Sequence, residues 1–382
     1  MLLAAKTELL SSHKPLSTRR VRPTLIIAGG YTAGHITPGL ALAEALSSDL
    51  HCVFMGARDG MEASLVEQAG LPFIGVPALP WAGRRTAARM ISLATLLPAI
   101  WEARRELRRC GAKALVSLGS FAALAPALAA ASLGLPVILY ESNTTLGLAN
   151  RVLMPFAKAL FTSRLFHQSI KRGPQPEVIG VPLRHTVQAL AGQPVNFPTG
   201  SVRVLVLGGS LGNPFLNQRM PAVMQRLALS VPALSVVHQC GHAVSTEAVA
   251  RAYAEVSVQA VVQPYLDPIA PEFAAAHLVV ATAGAITLHE LAAAGIPSLI
   301  VPLEGAAARH QHDNAFGFTA LTGCPHASEG TWDDERVART LAELLADAEG
   351  WQACSRHLRA LAGPDAALRM AARVKTFLPI CP

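Results

Sequence analysis

Charge is scarce in this chain: only 15% of its 382 residues are Asp, Glu, Lys or Arg, while 51% are hydrophobic. That balance excludes an intrinsically disordered protein, because a chain this apolar can bury enough surface to offset the entropy of ordering. Long hydrophobic runs are lacking as well. No stretch reaches the ~18 uninterrupted apolar residues of a membrane span, and residues 1–22 carry no signal-peptide cleavage pattern, reading as a flexible basic arm. The six cysteines, Cys52, Cys110, Cys240, Cys324, Cys354 and Cys381, show neither pairing nor metal-ligand spacing. They read as reduced thiols of a cytoplasmic protein. Aromatic residues make up 5%, and no stacking platform or basic recognition helix stands out, so nucleic acid is not an expected partner. The net charge of +7 then turns attention to an anionic membrane surface or a phosphorylated substrate.

What the chain does carry is a repeated design. Ile26-Ile27-Ala28 runs into Gly29-Gly30-Tyr31-Thr32-Ala33-Gly34-His35, followed by a helix expected to start near Pro38. Glycines there allow positive φ and close approach to a ligand, and a helix N-terminus favours an anion. His35 is either a proton acceptor in that turn or a histidine satisfied by backbone. Val204 to Gly212 repeats the pattern, with Gly208-Gly209-Ser210 after an apolar strand. Further continuous apolar runs, 51–55, 114–118, 136–140, 234–238, 277–281 and 297–302, fit strands buried on both faces of a parallel sheet. Two such halves in a chain of this length predict two doubly wound α/β domains.

Two more blocks are informative. From Leu79 to Cys110 arginines flank an apolar helix, with Trp81, Arg84, Arg85 and Arg89 near one end and Trp101 near the other. This is the composition of a segment lying on an anionic bilayer, and equally of a core-facing helix with a solvated basic face. The second block runs Gly284-Ala285-Ile286-Thr287-Leu288-His289-Glu290. Glu290 can accept hydrogen bonds from a vicinal diol such as a ribose, or serve as a capping-box acid paired with Thr287. The polar cluster Arg309 to Ala315 is expected on a loop at the same cleft edge.

Taken in order, these blocks resemble the bacterial cell-wall glycosyltransferases of family 28, from about Leu25 to the last helix. The residues that carry the likeness are Gly29 to His35, Gly56-Ala57-Arg58-Asp59-Gly60-Met61-Glu62, Tyr140-Glu141-Ser142-Asn143, Gly180 to Arg184, Gly208 to Gly212 with Leu216-Asn217, and Gly284 to Gly295. The resemblance implies a GT-B fold, two Rossmann-like domains facing a cleft. It also implies transfer of N-acetylglucosamine from UDP-N-acetylglucosamine to the 4-hydroxyl of undecaprenyl-diphosphate N-acetylmuramoyl-pentapeptide, with inversion and without metal or other cofactor. Leu266 would meet the uracil, Glu290 the ribose, Arg184 and Ser210 the diphosphate, and Gln311 the sugar, with Ala285, Ile286, Thr287, Leu288 and His289 also among the substrate-binding residues. Thr32, Ala33 and Gly34 would hold the acceptor diphosphate, His35 would take the proton, and Asn143 would hold the donor sugar or the acceptor hydroxyl. The implied location is peripheral, on the cytoplasmic face of the inner membrane, alongside other cell-wall synthesis and division proteins.

The expected organisation is an arm over 1–22, an acceptor- and membrane-facing domain over 23–192, a linker at 193–200, a UDP-sugar domain over 201–365, and a helix at 366–382 returning to the first domain. Departures from the family pattern fall at Tyr31, Ala33, Ser120, Ala123, Tyr140, Ser142, Val181, Leu211 and Thr282-Ala283. They keep two other readings open: another nucleotide-sugar enzyme of the same architecture, such as a glycolipid glycosyltransferase or a UDP-sugar epimerase, and a weakly active membrane or division scaffold.

Overall fold

A computed structural model describes residues 22–30, 33–60, 62–78, 86–209, 211–231, 233–305 and 309–378. The expected arm at 1–22 lies almost wholly outside them. Within the described residues the strands form two parallel sheets. The first contains β1 (Thr24–Ala28), β2 (His51–Ala57), β3 (Phe73–Val76), β4 (Ala112–Ser117), β5 (Val137–Glu141), β6 (Ala159–Thr162) and β7 (Pro176–Val178), in the order β3-β2-β1-β4-β5-β6-β7. The second contains β8 (Val202–Leu207), β9 (Leu234–Gln239), β10 (Ala260–Gln263), β11 (Leu278–Thr282) and β12 (Ser298–Val301), in the order β10-β9-β8-β11-β12.

The continuously apolar runs are the sheet centres, as expected of strands covered by helices on both faces. Leu25, Ile27, Val116 and Ile138 bury on one face of the first sheet, and Ile26, Leu115, Val137 and Leu139 on the other. The second sheet repeats this with Leu205, Val279 and Ile300 on one side and Val204, Val280 and Leu299 on the other. In each sheet the strand order reverses beside the first strand, between β1 and β4 and between β8 and β11. Such switch points open a crevice at the carboxyl ends of the strands, and each glycine turn follows the strand bordering one.

Two local expectations fail. The helix after β1 runs Ala33–Leu46 with Pro38 inside it, so it begins five residues earlier than its proline suggested. Proline is favoured at a first helical position, but here burial of Ile36, Leu42, Ala43 and Leu46 outweighs the loss of one backbone hydrogen bond. The cluster 309–315 is not a loop: it opens the helix Arg309–Thr322.

The domains exchange partners along the chain. Leu183, Val187 and Leu190, ahead of the Pro/Gly-rich stretch 193–200, are buried with the second sheet. The helix Ala366–Lys375 packs Met370, Ala371 and Val374 into the core of the first. Arg369 donates to the carbonyls of Ile179 (2.9 Å) and Val178 (3.0 Å), Arg373 makes a two-pronged ion pair with Glu177, and Lys375 pairs with Asp49. The five described cysteines are free thiols, but Cys324 and Cys354 meet in the second core with sulfurs 3.1 Å apart, a proximity their spacing of 30 residues did not announce.

Candidate active site

Residues from both sheets converge on a cavity of about 450 Å³. On its first-domain wall, His35 sits half-buried in the first turn of Ala33–Leu46, beside Gly34 and Thr37. Burial lowers its pKa, an effect opposed by the charge of Glu141 and reinforced by His310. Burial thus favours the neutral imidazole, the form that accepts a proton. Beneath the turn lies Glu62, wholly buried, which accepts the N–H of Ala57 at 2.6 Å. Its carboxylate fills the space a side chain at Gly30 would need: a Cβ there would stand 2.1 Å from Glu62 Oε1, and φ is +154°. That is why residue 30 must be glycine.

Glu141 ends β5 as a second buried carboxylate. It accepts from the Asn143 N–H (3.2 Å), Asn143 Nδ2 (2.8 Å), the Gly147 N–H (2.9 Å) and Asn150 Nδ2 (3.0 Å). Four donors satisfy the charge and knot the loop after β5 into a rigid piece, with Ser142 and Asn143 bordering the cavity.

The second-domain wall is built at the ends of β8 and β11. Gly212 (φ 77°) crosses so close to the next strand that a Cβ would lie 2.2 Å from the Cys240 carbonyl. The helix Pro214–Ala228 that follows is capped by Asn213, whose side chain accepts from the N–H groups of Phe215 and Leu216. The helix Ala285–Ala294 starts differently. Its N-cap is Gly284, which has no side chain to offer, and Ala285, Ile286 and Thr287 border the cavity. First-turn amides without a cap remain for an anionic ligand.

This helix start rules out the capping box. Thr287 is the third helical residue and Glu290 the sixth, with no side-chain cap at the terminus. Glu290 instead turns to the cavity, only 9% exposed, and burial pushes its pKa up to about 7 against the pull of Arg184, whose Nη2 is 3.9 Å away. Arg184 itself pairs with Asp267 at 2.9 Å. Leu266 borders the cavity, and its N–H donates to Gln239 Oε1 (3.0 Å). Gln311 accepts the Leu303 N–H through Oε1 (3.0 Å), leaving its NH₂ as the group it can offer.

Not every expected site residue gathers here. Leu288 and His289 are buried outside the cavity lining: Leu288 packs in the second core, and His289 donates Nδ1–H to the Ala285 carbonyl at 2.8 Å. Thr32, Ser210, Trp81, Arg84 and Arg85 lie outside the described residues, as do the side chains of Ala33 and Arg89. Trp101 stands away from the cavity on the helix Thr86–Arg109, 65% exposed, with the Arg105 guanidinium 5.6 Å from its ring centre and Leu97 75% exposed nearby. The opposite face of that helix packs Ala103 and Leu107 inward, so the segment both covers the core and presents apolar surface.

Four residues at the site were missed as such. Glu141 lay in a quoted motif, Tyr265 preceded Leu266, and His310 stood in the polar cluster. Asn314 stood in the same cluster, but nothing there marked its contacts with the first domain. The family departures take distinct parts: Tyr140 donates its hydroxyl to the Gly180 carbonyl (3.2 Å), Val181 is buried core, and Leu211 borders the cavity, 65% exposed.

Comparison with known proteins is decisive at this point. The glycosyltransferase family 28 N-terminal domain matches residues 25–162 and the C-terminal domain residues 203–367. The chain belongs to glycosyltransferase family 28. Among similar family 28 sequences is the UDP-N-acetylglucosamine–N-acetylmuramyl-(pentapeptide) pyrophosphoryl-undecaprenol N-acetylglucosamine transferase of Xanthomonas euvesicatoria pv. vesicatoria, 38% identical over 361 residues, or 93% of this chain and 81% of the relative. The transferase of the same name from Xylella fastidiosa strain Temecula1 is 40% identical over 297 residues, 77% of this chain and 80% of the relative. In fold, the family 28 chain matches the crystal structure of Acinetobacter baumannii MurG with a TM-score of 0.72 at 24% identity, covering 93% of this chain and 99% of that one. CalG4, the calicheamicin glycosyltransferase, shares the architecture at a TM-score of 0.69 and 14% identity, over 94% of this chain and 100% of that one. The fold is GT-B, and the protein is a hexosyltransferase of family 28.

Proposed function

We propose that this family 28 chain moves N-acetylglucosamine from UDP-N-acetylglucosamine onto undecaprenyl-diphosphate-linked N-acetylmuramoyl-pentapeptide. The observation that carries this reading is one cavity with a histidine on one wall and, on the other, an uncapped helix start beside a carboxylate. The two relatives named for this reaction support the choice of substrates.

UDP-N-acetylglucosamine would lie against the second domain. Glu290 accepts the ribose hydroxyls, the Leu266 carbonyl meets the base with Tyr265 beside it, and Gln311 donates to the sugar. The first-turn amides of Ala285–Ala294, with Arg184 and Ser210, stabilise the departing diphosphate. The acceptor diphosphate would lie at Thr32, Ala33 and Gly34. His35, directly or through a water, then removes the proton of the 4-hydroxyl as that oxygen attacks the anomeric carbon from the face opposite the diphosphate, inverting α to β. Glu141 favours the imidazolium that forms, since its charge raises the His35 pKa.

No helix among the described residues is long and apolar enough to cross a membrane. Trp101, Leu97 and the neighbouring arginines support a peripheral seat on the cytoplasmic face of the inner membrane, where the lipid tail of the acceptor stays in the bilayer. The test is UDP release by the purified protein with and without the lipid-linked acceptor in anionic detergent. Acceptor-dependent release is the expected result, and UDP-N-acetylglucosamine binding without any release would refute the reading.

A further inference from the structure

One buried side chain joins the two walls of the cavity. Asn314, on the helix Arg309–Thr322 of the second domain, is 0% exposed. Its Oδ1 accepts the Thr144 N–H at 3.2 Å, and its Nδ2 donates to Asn143 Oδ1 at 3.2 Å and to the Ala283 carbonyl at 3.1 Å. A carboxamide has two N–H groups and one carbonyl oxygen to use, and here all are engaged, toward both domains at once. Thr144 and Asn143 belong to the loop after β5 in the first domain. Ala283 follows β11 in the second, one residue before the Gly284 that opens the uncapped helix. Gly317, one turn further along, lies against Thr144, where a Cβ would sit 3.7 Å from its methyl group.

The piece that Asn314 holds is rigid. Asn143 also donates to Glu141, which is itself anchored by Gly147 and Asn150. Glu141 acts electrostatically on both His35 and His310. A hydrogen-bonded chain therefore runs from Ala283 through Asn314 and Asn143 to the carboxylate that tunes His35.

We infer that Asn314 is a positioning residue that sets the register of the acceptor wall against the donor wall. It touches no substrate; it fixes how far His35 stands from the anomeric carbon of a donor held by the second domain. This rests on the transfer reading above. In-line displacement tolerates little misplacement, and an error of about 1 Å can lower a rate roughly 100-fold.

The experiment is Asn314→Leu, close in size but unable to make these bonds, read in three ways. Expected are a kcat for transfer lowered about 100-fold, UDP-N-acetylglucosamine affinity by calorimetry within about threefold of wild type because the donor groups lie in the second domain, and a broadened distance distribution between spin labels placed on the two domains. Asn314→Asp keeps the acceptor oxygen for Thr144 and loses both donated bonds; it is the second variant, should leucine prevent folding, and is expected to fall between wild type and leucine. An unchanged kcat with an unchanged distance distribution overturns the inference. Donor affinity falling in parallel with kcat also overturns it, since Asn314 would then be shaping the donor site. If wild type releases no UDP with the lipid acceptor, the transfer reading fails. The label distances still decide the clasp: a distribution unchanged in both variants refutes it.

Discussion

Glu290 offers the sharpest test of how the cavity is used. Its carboxyl is nearly inaccessible and burial holds its pKa up at about 7, so at neutral pH it is half protonated before any ligand arrives. A ribose diol donates two hydrogen bonds and prefers the ionised form. Affinity for UDP-N-acetylglucosamine should then follow the ionised fraction, about one-tenth at pH 6 and nine-tenths at pH 8, giving a roughly tenfold weaker Kd at the lower pH. Replacing the carboxylate by Glu290→Gln exchanges two charge-assisted bonds for neutral ones. At about 1 kcal/mol each the expected loss is ~2 kcal/mol, or about 30-fold in Kd, with the pH dependence gone. The same substitution should stabilise the empty protein at alkaline pH. An acid with pKa 4.5 when unfolded and about 7 when folded loses stability as pH rises between those values, by at most about 3 kcal/mol in total. Calorimetric titrations from pH 5.5 to 8.5, with thermal melts of both proteins at pH 8, measure each part. A wild-type Kd independent of pH, together with a glutamine variant binding within twofold, would refute the reasoning.

Other expectations follow from single side chains. His35→Ala should keep donor affinity while cutting turnover about 100-fold or more, the usual scale for losing a general base; unchanged turnover removes His35 from the mechanism. His289, buried neutral, has its pKa pushed down to about 4 and an Nε2 with no hydrogen-bond partner. A histidine with pKa 6.5 unfolded and lower when folded loses stability as pH falls below 6.5, so His289→Leu should lose about 2 kcal/mol less than wild type between pH 7 and pH 5. Parallel denaturant midpoints of the two proteins would contradict this. Ser120 holds φ 67°, ψ 168°, a region suited to glycine, with its hydroxyl buried and unpartnered. Ser120→Gly should raise stability by about 1 kcal/mol, visible as a higher Tm; a lower Tm would argue against strain there.

The sheet centres were readable because burial on both faces turns a parallel strand into an unbroken apolar run. The strands that escaped notice lack that signature. Phe73–Val76, Pro176–Val178 and Ala260–Gln263 are sheet edges with half-exposed residues, and Ala159–Thr162 is buried but only four residues long. Helix boundaries misled where a local preference met a tertiary demand, as at Pro38. At the cavity, residues in glycine-rich turns could be picked out because the backbone there restricts which residue types fit. Asn314 stood out only as one of the polar residues 309–315, and its role did not: its first-domain partners stand 170 and 171 positions away.

The return of the helix Ala366–Lys375 to the first sheet means that the backbone passes between domains twice. The second domain is thus spliced into the first and hangs from two tethers. A body held at two points can swing about the line joining them but resists spinning, so two tethers permit fewer relative motions than one would. Cutting the chain just before Ala366 would leave a single tether, turning a door on two hinges into a pendulum.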